Sequence, residues 1–122
     1  MDYVPHAYVY LHWSGMPLTS LEFRALYVHM RNLLQRFQLA AVVADHHAMP
    51  EAPAAADQEW LLRVWLPQTV AETPFARYAV VPAPDPAHRL HTAGVLHDLS
   101  CCVTVRVFEE AAQACQWTTP AR

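Results

Sequence analysis

"TSLEFRALYVHMRNLLQRFQLAAVVAD", residues 19–45, carries two different hydrophobic patterns in succession, and the change between them decides the fold. In its first part Phe23, Leu26, Tyr27, Met30, Leu33, Leu34 and Phe37 recur at the three- and four-residue steps of one helix face. Thr19 and Glu22 stand at capping-box spacing, with Leu18 placed to staple against Phe23. Arg24, Arg31, Asn32, Gln35 and Arg36 are left for water. The spacing predicts a helix over about 20–37. From Leu39 to Asp45 that periodicity stops, and "LAAVVAD" is apolar on both faces, as a central strand covered by helices would be.

The same alternation extends outward in both directions. "AYVYLHW", residues 7–13, is a strand with Ala7, Val9, Leu11 and Trp13 on one face and Tyr8, Tyr10 and His12 on the other, ended by Ser14-Gly15 and Pro17. After a loop held by Pro50 and Pro53, a second helix begins near Ala54 to Asp57 and presents Trp60, Leu61, Val64 and Trp65. Pro67 is expected to kink it or start a new turn. "ARYAVVPA" (76–83) is a third strand. A weaker helix containing Gly94 follows. "CVTVRVF" (102–108) is a fourth strand with Val103, Val105 and Val107 inward, and Glu109 to Trp117 forms a last helix. Strands alternating with helices predict one α/β domain, with a four- to five-stranded, mostly parallel sheet flanked by about four helices.

Composition narrows the function. The 122 residues suffice for one domain, and 54% hydrophobic with 16% charged content is that of a globular chain. Net charge is −3 and no basic cluster appears, which argues against nucleic-acid or anionic-membrane surfaces. The chain has no lysine, so Schiff-base and phosphate-loop lysines are excluded. Its two glycines build neither a phosphate cradle nor a dinucleotide fingerprint. No cofactor is implied. Cys101, Cys102 and Cys115 form no CxxC pair and read as reduced, structural thiols of a cytoplasmic protein. The opening residues lack a signal-peptide pattern, and "LAAVVA" is too short to span a bilayer.

Ligands of parallel sheets bind beyond the carboxyl ends of the strands. There the sequence places Ser14, Asp45, His46, His47 and Asp85, which are the candidate small-ligand residues. The plainer reading is that Asp45 caps nearby amides and the tryptophans fill the core. No metal is expected, because neither His46-His47 nor His88 with His91 has an evident third ligand. No GxSxG elbow surrounds Ser14, Ser20 or Ser100. The stripe from Trp60 to Leu66 is too wide to bury whole, so Trp65 and Leu66 are the candidate surface for a homodimer or another protein.

The order of short motifs resembles that of bacterial SpoIIAA-like (STAS-like) domains over residues 8–118. The motifs are "WSG" at 13–15, "EFR" at 22–24, the strand ending at Asp45, "EWLL" at 59–62, "WLP" at 65–67, "RYAVV" at 77–81, and Phe108, Ala114 and Trp117. The resemblance implies a non-catalytic regulatory or protein-interaction module. In the anti-sigma-factor antagonists of that family a serine or threonine at the start of the second helix is phosphorylated to switch partners. From His46 to Gln68 this chain has neither residue, so the resemblance does not carry the switch over.

Overall fold

The computed structural model describes residues 2–5, 7–13, 18–47 and 54–119. Thr19 caps the long helix α1 (Ser20–Phe37) as the spacing predicts. Its hydroxyl accepts from the Glu22 amide at 3.2 Å, and the Glu22 carboxylate accepts from the Thr19 amide at 3.0 Å. These bonds hold the Glu22 carboxyl below the usual carboxylate range. Phe23, Tyr27, Met30 and Leu34 are buried, and Leu26, Leu33 and Phe37 pack half-buried around them. Gln38 ends the helix in the left-handed region, φ 52°, with its amide bonded to the Leu34 carbonyl.

Five strands form one sheet in the order β1 (Asp2–Val4), β2 (Tyr8–His12), β3 (Ala41–Asp45), β4 (Arg77–Val81) and β5 (Thr104–Val107). β1 is antiparallel to β2 and the other three pairings are parallel. The mostly parallel α/β fold of the sequence is therefore the fold observed, with β1 added as a hairpin. Because each parallel strand lies beside its predecessor, all three crossovers sit on one face. Val9, Leu11, Val42, Ala44, Tyr78, Val80 and Val103 meet α1, the second helical segment and α4 (Pro86–Leu99) there. The far face is covered by α5 (Ala111–Thr118), whose Ala114 packs on Val43, Ala79 and Val81.

The second helical segment corrects the sequence reading. α2 (Ala55–Trp60) runs through a π-helical turn at Leu61–Trp65 into α3 (Leu66–Glu72), and Pro67 lies in the first turn of α3, the new turn expected of it. Proline has no N–H for the Arg63 carbonyl and its ring crowds that oxygen; the wide turn makes room, and the Leu66 amide reaches back to the Leu61 carbonyl. The buried stripe runs through Leu61, Trp65 and Thr69 at four-residue steps, joined by Leu66, while Val64 is 49% exposed. Trp65, 2% exposed, and Leu66, 1% exposed, are thus core and not an interface. The Trp65 indole N–H donates to the Tyr27 carbonyl at 2.6 Å, and its ring lies edge-on to Tyr27 and Phe75. Val107 is corrected too: it is 51% exposed on the edge strand, where only Val103 and Val105 reach the core.

Among the described residues no helix is long and apolar enough to cross a membrane. Met30→Ala should cost about 2–5 kcal/mol in urea melts, against about 1 kcal/mol for Thr19→Ala, which removes only a cap. A Cβ on Gly94 would meet nothing within 4 Å. Gly94→Ala should therefore raise stability by about 0.5–1 kcal/mol in the same melts.

Candidate functional site

The residues singled out at the strand ends do not converge. Asp45 leaves β3 on the far face, where its carboxylate accepts from the Tyr10 hydroxyl at 2.9 Å and from the His47 amide, also at 2.9 Å. It is the cap of a strand end. His46, one residue on, turns the other way and is 8% exposed, edge-on to Trp13 with ring centroids 6.4 Å apart. Its amide bonds to the Val81 carbonyl at 2.8 Å. His47 is exposed. Asp85 is exposed at the start of α4, where its side chain makes no capping bond. Ser14, and the side chains of His88 and His91, lie outside the described residues.

His46 reaches a small cavity of about 40 Å³ between the sheet and the helices, lined also by Tyr27, Gln58, Tyr78 and Thr92. At roughly 10–15 Å³ per water it holds about three waters, far short of the roughly 300–1,000 Å³ of small-molecule sites. Burial pushes the Tyr27 hydroxyl up to about 12, its bond to Tyr78 opposing. Burial, and then the neighbouring Tyr27, raise the Tyr78 hydroxyl well above the usual phenol range. Both phenols stay neutral, as packing and hydrogen-bonding groups. Among the described residues no three His, Cys, Asp or Glu side chains gather to hold a metal ion.

Spacing alone missed the clip between the starts of α1 and α2. Asp57 is 4% exposed and accepts from the Ser20 hydroxyl and from Arg24 Nε at 3.0 Å. The Arg24 guanidinium also lies 5.4 Å over the Trp60 ring. An acidic residue in the first turn of a helix was the available signal; its partners, 37 and 33 residues upstream, were not readable from it.

The far face of the sheet is more open. Around the dry cluster under α5, Tyr8 and Tyr10 of β2 are half-buried, Val4 of β1 is 39% exposed, and His12 is exposed. Registry places Val4 beside Tyr8 and His12 beside Asp45, so these groups form one continuous surface. Burial, with the bond to Asp45 second, pushes the Tyr10 hydroxyl up to about 12. Burial and Cys115 do the same for Tyr8. On the β4–β5 side of α5, arginines cover the aromatics: Arg77 lies over Trp117 and Arg106 over Phe108.

Comparison with family models, with curated proteins and with solved structures finds no match for this chain.

The Asp57 carboxyl lies below the usual range chiefly through the Ser20 hydroxyl, then Arg24, with burial opposing. A depressed folded value means the clip's contribution is complete above the unfolded value of about 4 and is lost as pH falls through the folded one. The urea midpoint should therefore drop below about pH 4, and the drop should be smaller in Asp57→Asn. That variant should already be less stable at pH 7, by about 1–3 kcal/mol.

Proposed function

We propose that this chain is a non-catalytic protein-interaction module of SpoIIAA-like architecture, binding a protein partner through the far face of the sheet over β1 and β2. The observation that carries this reading is the unequal cover of the two faces. Three crossover segments close one side, while the eight-residue α5 leaves Val4, Tyr8, Tyr10 and His12 beside it accessible. Tyrosine and histidine on a flat sheet give large contact area with few rotatable bonds, the character of interface anchors. The singly wound order of strands and helices supports the architectural part of the proposal.

A regulatory or docking role without chemistry agrees with where the described hydroxyls point. Ser20 is committed to Asp57, and Ser100 donates to the His97 carbonyl at 2.6 Å. A small-molecule site at His46 is disfavoured by the volume of the cavity there. The start of α2 is alanine-rich, Ala54-Ala55-Ala56, so partner choice here would not follow helix phosphorylation. We place the module in the cytoplasm, in keeping with three unpaired thiols.

The test is a double variant, Val4→Glu with His12→Glu, at two exposed positions on that face. Circular dichroism should be unchanged, while quantitative affinity capture from the source cells, read with sedimentation for self-association, should show at least about a tenfold loss, 1.4 kcal/mol. Capture and sedimentation that both match the parent protein would remove the far face as the binding surface.

A further inference from the structure

The turn from α4 to β5 holds two adjacent cysteines, Cys101 and Cys102, both exposed, with their sulfurs 3.2 Å apart. Neighbours on a strand point to opposite faces, so the contact is made by the turn. The turn is fixed from both sides. The Cys102 and Val103 amides donate to the Leu99 carbonyl at 3.1 and 3.3 Å, and the Thr104 amide enters the sheet on the Ala76 carbonyl at 2.9 Å. Two open clefts flank the pair, one of about 580 Å³ beside Phe75 and Thr104, the other of about 440 Å³ beside Gln58, Arg63 and Asp98. A small molecule can approach either sulfur.

We propose that Cys101 and Cys102 form a thiol–disulfide exchange site whose substrate is a low-molecular-weight disulfide, and that the pair closes reversibly to a Cys101–Cys102 disulfide. One cysteine thiolate attacks a sulfur of the small disulfide, forming a mixed disulfide and releasing one small thiolate. The second cysteine, deprotonated, then attacks the protein sulfur of that mixed disulfide and releases the other. The two thiol protons end on the two small thiols; the cysteine pair loses two electrons and the small disulfide gains them.

Two features favour closure over a second adduct. The sulfurs already lie at the roughly 3–3.5 Å separation of reacting atoms. The S–H···S contact also keeps the second thiol directly behind whichever sulfur reacts first. Reversibility follows from geometry. Adjacent Cα atoms lie about 3.8 Å apart across a trans peptide, inside the roughly 4.4 Å lower limit of ordinary disulfides. The closed ring is strained and so is easily reduced.

The test uses the full chain, oxidised glutathione and mass spectrometry of the tryptic peptide 90–106, which carries both thiols and not Cys115. The wild-type peptide should become two hydrogens lighter and return to its original mass with excess reduced glutathione. Cys101→Ser and Cys102→Ser should each instead retain one added glutathione on the remaining sulfur. A wild-type peptide with an adduct on each sulfur overturns the proposal. So does one whose thiols stay free where the single variants react, or a closed disulfide that survives excess reduced glutathione.

Discussion

Handedness governs this molecule more than any single contact. A right-handed crossover between neighbouring parallel strands sets its helix on one fixed face of the sheet. Here three such crossovers succeed each other without a reversal of strand order. The helical layer therefore builds up on one side, where Val9, Val42, Tyr78 and Val103 lie, and the other side receives only the short segment beyond the last strand. The deep core, the small cavity at His46 and the open tyrosines of β2 all descend from that asymmetry.

Within the helical layer the π-helical turn is the decisive local event. It accommodates Pro67, and within it Trp65 is buried with Leu61 and bonds the Tyr27 carbonyl of α1 through its indole N–H. A second connection, Ser20 and Arg24 on Asp57, joins the same two segments at their starts. Together they tie α1 to the second helical segment at two points along its length. Both ties lie on the helical side of the sheet, away from the open face.

Legibility in the sequence tracked the length and regularity of each pattern. α1 was readable to the residue because seven apolar positions and a two-sided cap agree. β3 and β4 were readable because strands buried on both faces dispense with alternation. The errors arose where a period broke. The apolar stripe from Trp60 to Leu66 is wider than one face, and the side chain it leaves out is Val64, 49% exposed, while Trp65 stays with Leu61 four residues before it. β1 is three residues, too few for a period, and Val107 alternates correctly but lies where the edge strand outruns its cover. Asp45 and His46 were read as one rim although alternation sends them to opposite faces, one to Tyr10 and the other toward Trp13. The face that now carries the functional reading was visible in sequence only as Tyr8, Tyr10 and His12, with nothing to say that α5 leaves them beside it uncovered.

The brevity of α5 has a consequence for how the protein fails. A helix of eight residues does not persist in water without its packing surface, and this one is anchored through Ala114, with Cys115, Ala111 and Trp117 around it. Its place on the sheet therefore depends on those few side chains staying packed. Its departure would bare Val43, Ala79 and Val81, a flat apolar strip continuous with Tyr8 and Tyr10. Sheets exposed in that way stack on one another. α5 is thus the chain's own guard against aggregation, and conditions that loosen it should cause clumping while the helical side of the molecule is still folded.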